Sequence, residues 1–164
     1  MKKTVYVETS IASYLAARPS RDVRAAAWQQ LTIQWWEDVR PRFELVSSEL
    51  VSVEAARGDA ATAERRLAYL RGIPELKIDE EVRVLAERLI SEGAMPVSAE
   101  ADALHVAVSA VHGIDYLLTW NCRHIDNAAL RPLLRAVCVA AGYRCPEICT
   151  PLELLAEEAD NVPR

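Results

Sequence analysis

Glycine is scarce. Five glycines and eight prolines in 164 residues exclude a low-complexity or collagen-like chain. Neither of the glycine-rich phosphate loops, GxGxxG or GxxxxGK[ST], occurs, which removes the common nucleotide cradles. No apolar run approaches the roughly 18–20 residues of a membrane span, so no membrane association is expected. Between Met1-Lys2-Lys3 and Glu8 there are too few apolar residues for a signal-peptide core, and the expected location is cytoplasmic. Cys122, Cys138, Cys145 and Cys149 form no CxxC pair. Structural zinc normally uses tighter paired knuckles, so the expectation is buried free thiols rather than a zinc site or a disulfide framework. Positive charge is also short: 19 Lys and Arg stand against 24 Asp and Glu, for a net charge of -5. That excludes a broad carpet of phosphate contacts. A nucleic-acid partner would need something local to reverse the sign.

Apolar residues are plentiful, at 51%. The length fits one domain with a sizeable core, assigned to residues 1–156, with a polar tail at 157–164. Strand candidates are Thr4–Val7, Phe43–Val46, Leu76–Ile78, Asp115–Thr119 and Glu147–Cys149. Helices fit between them. The first is capped by Thr9 or Ser10. A long one runs from about Asp22 to Val39, with Ala27, Leu31, Trp35 and Val39 on one face. Others start at Ser47 or Ser48, Ala60, Asp79 and Ser98. Helical sequence resumes around His124 and after Pro132, and Thr150-Pro151-Leu152-Glu153 is a strong helix start. Strands alternating with helices predict a mainly parallel sheet of four to five strands, covered on both faces.

In such sheets ligands bind beyond the carboxyl ends of the strands. Glu8 follows the first strand there, and Thr119-Trp120-Asn121 follows the fourth. Glu54 shares a helix face with Leu50 and Val51, which should point at the sheet. A carboxylate there must be paired with a cation or hydrogen-bonded, an arginine being the ordinary partner. Glu49 and Asp59, nearer the helix ends, read as solvated surface. Asp102 lies on a helix that is apolar nearly all round, in one stripe with His105 and Ser109. His105 by itself reads as a hydrogen-bonded core or rim histidine, because no second histidine at ligand spacing accompanies it.

If Glu8, Glu54 and Asp102 converge, their repulsion requires protonation or a divalent cation. Oxygen ligands select hard ions such as Mg²⁺ or Mn²⁺, the usual apparatus of phosphodiester hydrolysis. Neutralising Asp102 is then expected to raise metal-free stability. Arg18, Arg21, Arg24, Arg57 and Arg123 are candidate phosphate contacts. Trp28, Trp35 and Trp36 offer either core packing or a dimer interface.

Four segments resemble the PIN-domain ribonucleases, and within them the VapC-type toxins of bacterial toxin–antitoxin pairs. They are Val5-Tyr6-Val7-Glu8-Thr9-Ser10, Ser48-Glu49-Leu50-Val51-Ser52-Val53-Glu54, Ala101-Asp102-Ala103-Leu104-His105-Val106-Ala107 and Tyr116-Leu117-Leu118-Thr119-Trp120-Asn121. The resemblance covers about residues 4–155. It implies a PIN-like three-layer α/β/α sandwich and metal-dependent cleavage of RNA. The catalytic set would be Glu8, Glu54, Asp102 and Asn121, with the first three as metal ligands. Thr9, Ser10, His105 and Thr119 would be substrate contacts. A cognate antitoxin and a homodimer are further implications. The chain departs from the family pattern twice: Glu8 stands where Asp is common, and Asn121 where a fourth acid is common. Asn keeps an oxygen donor but loses a charge; Glu100 or Asp126 could compensate. Loss of that acid leaves a second reading open, a PIN-like module that binds RNA or a partner without cutting.

Overall fold

The computed structural model describes the backbone of residues 1–159 and the side chains of residues 1–155. Residues 160–164 of the expected tail lie outside the described residues.

Among the described residues five strands form one parallel sheet: β1 (Thr4–Val7), β2 (Glu44–Ser48), β3 (Glu75–Leu76), β4 (Tyr116–Leu118) and β5 (Glu147–Cys149), in the order β3-β2-β1-β4-β5. β1 is central, with Val5 opposite Leu45 on one side and Tyr116 on the other. Val5, Tyr6 and Val7 are all fully buried, as a parallel strand covered on both faces requires. The helices are α1 (Thr9–Ala16), α2 (Val23–Gln34), α3 (Glu49–Ala55), α4 (Ala60–Leu70), α5 (Glu80–Ser91), α6 (Glu100–Val111), α7 (Arg131–Ala140) and α8 (Pro151–Ala159). One group packs through α1·α2, α1·α4 and α2·α8, the other through α5·α6 and α5·α7. This is the α/β/α sandwich expected from the sequence. No helix among the described residues is long and apolar enough to cross a membrane.

Four local readings are corrected. The first helix is capped by Glu8, not by Thr9 or Ser10: its Oε2 accepts from Ser10 N at 2.6 Å. The long helix does not run unbroken to Val39. It widens into a π turn at Trp35–Val39 and tightens into a 3₁₀ turn at Arg40–Arg42. Within α2 the strict four-residue spacing drifts off the 3.6-residue period, so Ala27 is exposed while Gln29 and Thr32 are buried. Trp35 and Trp36 belong to the core, and Trp28 stacks on Trp120 with ring centroids 4.7 Å apart. Residues 122–125 form turns rather than a helix. Of the four free thiols, Cys138 and Cys149 are buried but Cys122 is exposed.

A polar clamp closes the amino end of the sheet. Thr4 N and Thr4 Oγ1 donate to Asp115 Oδ2 at 2.9 and 3.1 Å, and Arg144 donates to Oδ1 at 3.1 Å. The Thr4 amide bond, with the Arg144 charge, holds the Asp115 carboxyl below the usual range. Asp115→Ala is expected to cost about 1–2 kcal/mol, the value of charge-assisted bonds at a half-exposed site. Because the folded carboxyl titrates low, this contribution is present above about pH 3.9 and is lost as pH falls through the folded value. Urea melts of both proteins at pH 7 and pH 3 check it. An equal gap at the two pH values would contradict it.

Candidate active site

The chain adds β2 and β3 on one side of β1, then crosses to add β4 and β5 on the other. The switch point therefore lies between the carboxyl ends of β1 and β4. Glu8 N donates to Leu118 O at 3.2 Å, which puts Glu8 beside Thr119, Trp120 and Asn121. α3 and α6 bring in Glu54 and Asp102.

At the centre is His105, 1% exposed. With the ring protonated, Nε2 donates to Glu54 Oε1 at 2.7 Å and Nδ1 to Tyr6 Oη at 2.7 Å. Tyr6 Oη is also 2.8 Å from Ser48 Oγ. Ser48 is the N-cap residue of α3, yet its hydroxyl makes no cap bond. Burial opposes a charge on His105, but the Glu54 bond and the charges of Glu8, Glu54 and Asp102 outweigh it and raise its pKa. Burial likewise opposes ionisation of Glu54, but the His105 bond and charge, with Thr9, outweigh it and hold that carboxyl low. Thr9 Oγ1 donates to the same Glu54 oxygen at 2.7 Å. Tyr6, buried, is pushed far above a normal phenol and stays neutral.

Glu8 is different. It is 5% exposed, and burial raises its pKa despite the nearby His105 charge and the Ser10 amide. Asp102 forms a second pair: Oδ1 accepts from Asn121 Nδ2 at 3.0 Å, and Oδ2 lies 2.8 Å from His124 Nδ1. Asn121 Oδ1 in turn accepts from His124 N at 3.1 Å.

The expected acids thus gather around one buried imidazole. Glu54 has hydrogen-bond partners, as a carboxylate on that face requires, but they are His105 and Thr9 rather than an arginine. Asp102 is bonded at both oxygens, by Asn121 and His124, whereas the carboxylate of the buried Glu8 accepts only from Ser10 among the described residues. The four expected substrate contacts are all engaged within the protein. Thr9 serves Glu54. Ser10 Oγ accepts from Trp120 N at 2.8 Å, and the fully buried Thr119 Oγ1 accepts from Asn121 N at 2.9 Å. His105 and Thr119 are both buried, and within the protein they bond Glu54 and Asn121 N respectively. Asp126 is committed to Arg131 at 2.7 Å, and Glu100 and Glu49 are exposed. Asp59 is exposed too, and caps α4. Tyr6, Ser48 and His124 were missed. The available signal for Tyr6 was a hydroxyl inside a wholly apolar strand; His124 gave none beyond lying three residues after Asn121.

A hard divalent cation suits these donors, which are carboxylate and amide oxygens. Glu8 Oε1 and Glu54 Oε2 carry no hydrogen bond among the described residues, so each has an oxygen to offer. The arrangement is not closed around an ion: among the described residues no three His, Cys, Asp or Glu side chains are grouped to hold a metal.

Fold and site together define a parallel α/β/α protein with an acidic centre at the switch point of its sheet. The PIN domain family model matches residues 5–130, more than half of the chain, and the protein belongs to that family. PIN domains are in general metal-dependent nucleases. A solved structure of VapBC2 from Rickettsia felis, bound to a DNA fragment from its promoter, has a chain with the same fold. The TM-score is 0.52 at 9% identity, over 90% of this chain and 98% of that one. No curated protein matches in sequence.

Proposed function

We propose that the protein is a divalent-metal-dependent endoribonuclease and the toxin of a VapC-like toxin–antitoxin pair. The observation that carries this reading is the pair of unbonded carboxylate oxygens, on Glu8 and Glu54, at the switch point of a PIN-domain sheet. Glu8, Glu54 and Asp102 would hold Mg²⁺ or Mn²⁺, and Asn121 would complete the oxygen set. The bound cation supplies an activated water and neutralises charge developing on the scissile phosphate. The remaining work belongs to the chain. The Ser10 amide fixes Glu8, while Thr9 and His105 fix Glu54. Asn121 and His124 fix Asp102. The His105 charge offsets part of the repulsion among the acids. The companion would be an antitoxin, as in the VapBC2 pair, with action on RNA in the cytoplasm and a homodimer as the expected assembly.

The test is cleavage of a structured RNA with Mn²⁺, with Mg²⁺ and in chelator. Wild type is expected to cut only with metal. Asp102→Asn is expected to fall roughly 100-fold or more, since one ligand and the anchor of His124 are lost together. Equal cleavage by both proteins, or none under any metal, overturns the reading. A second reading, a PIN module that binds without cutting, is favoured by Asn121 in place of an acid. Calorimetry that detects no divalent ion at millimolar concentration would select it.

A further inference from the structure

Although the chain is acidic overall, one strip of its surface is basic. Arg18 and Arg21, in the loop between α1 and α2, are exposed, as are Arg24 in the first turn of α2 and Arg57 after α3. None of the four is in an ion pair among the described residues. Two arginines of α4 lie between them. Arg65 Nε donates to Ala16 O at 3.1 Å, at the end of α1. Arg66 Nε donates to Ala55 O at 2.9 Å and its Nη2 to Arg57 O. Both guanidiniums are thus anchored on helix-end carbonyls, which leaves their charge unneutralised by those bonds. Of the acids near these arginines, Asp22 and Asp59 cap α2 and α4, accepting from Ala25 N and Thr62 N at 2.8 and 2.9 Å; the Arg65 charge also acts on Asp59, and Glu64 of α4 is exposed.

The loop that carries Arg18 and Arg21 is braced from below. Gln29 is 8% exposed; its Nε2 donates to Arg18 O at 2.8 Å and its Oε1 accepts from Ser20 N at 2.9 Å. A buried amide used on both sides of one short loop holds the backbone in place, so its arginines meet a ligand at little ordering cost. The strip also reaches the site. The Arg57 charge acts on Glu54, and α1 runs from Thr9, bonded to Glu54, to Ala16 under Arg65. At 1.5 Å per residue that is about 12 Å.

We propose that this strip binds the phosphate backbone of single-stranded RNA as it leaves the acidic centre. The inference rests on the nuclease reading for the identity of the strand, but not on cleavage. Guanidinium forks match phosphate oxygens, and a row of them beginning at the acids gives a strand one direction of exit.

The experiment is fluorescence anisotropy of a short labelled oligouridylate in chelator, over a salt series. Wild type is expected to bind with a slope of about -0.7 per phosphate contacted in log affinity against log salt. Arg18→Glu/Arg21→Glu is expected to weaken binding roughly 10-fold or more at low salt and to flatten the slope by about one to two contacts. Arg57→Glu, on a separate element, should act in the same sense. Arg83→Glu, exposed on α5 in the other helix layer, should not. Thermal melts verify that each variant is folded. The proposal is overturned if the strip variants bind like wild type, if Arg83→Glu loses as much, or if wild type shows no salt-dependent RNA binding, the outcome expected of a strip that serves an acidic protein. Cleavage is scored separately. A protein that binds through the strip without cutting keeps this surface and loses the nuclease reading; one that cuts while its strip variants bind unchanged does the reverse.

Discussion

Glu8→Gln is expected to melt higher than wild type at pH 7 in chelator, while its metal-dependent RNA cleavage falls roughly 100-fold or more. The two effects have one cause. Glu8 is 5% exposed at the end of the central strand, and its burial outweighs the His105 charge and the Ser10 amide in raising its pKa. A carboxyl with a raised folded pKa binds its proton more tightly in the folded state. Stability therefore falls as pH rises from about 4.3 through the folded value. Glutamine removes that penalty and keeps an oxygen to accept from Ser10 N. Each kcal/mol regained would appear as about 2–4 °C for a chain of this size. The gap should close as pH is lowered toward about 4.3. The cleavage loss follows because glutamine has no charge to offer a cation. Calorimetric melts at pH 4.5 and 7, beside a cleavage assay, check both halves. A lower midpoint for the variant at pH 7 would show that Glu8 is stabilised by its neighbours rather than strained by burial.

His105→Leu is expected to have the opposite sign and a larger stability effect. The ring is enclosed between Tyr6 and Glu54, with a 2.7 Å bond to each. Leucine fills much of the volume but leaves a half-buried carboxylate without its cation, and Tyr6 Oη with Ser48 as its remaining partner. Breaking one side of a buried pair costs about 3–5 kcal/mol. That corresponds to a fall of about 6–20 °C in Tm. The sign with pH is set by His105, whose folded pKa is raised: its contribution is complete below about pH 6.5 and is lost as pH rises through the folded value. Glu54, held low, closes the window from the acid side, its contribution vanishing as pH falls through its folded value. Wild type and variant should therefore differ most between about pH 4.5 and 6.5 and converge in alkali. A difference that does not change with pH would assign the loss to packing alone.

Much of this was legible along the chain. The β-prone Thr4-Val5-Tyr6-Val7 run gave the first strand, and the alternation of strands with helices gave the sandwich. Asp102 stood out because a carboxylate on an apolar helix has few cheap explanations. Glu8 and Asn121 were found from strand ends alone, since parallel sheets bind at their carboxyl edge. The misreadings have definite causes. A π turn at Trp35–Val39 cannot be seen in a helical period, because it is one residue added to a pattern that otherwise continues. The Glu8 cap was assigned to Thr9 or Ser10 because short polar residues are the common caps, whereas a glutamate folded back on Ser10 N does the same work.

What the sequence by itself determined was the fold, and it pointed to the carboxylates that the fold brings to one end of the sheet, because burial periodicity and strand ends are patterns local in the chain. Only the tertiary structure decided how those acids are balanced. His105 is 51 residues from Glu54 and 99 from Tyr6, and His124 is 22 from Asp102. Partnerships at such separations depend on which helix face meets which strand. Charge compensation is a property of distance in space, and distance in sequence does not report it.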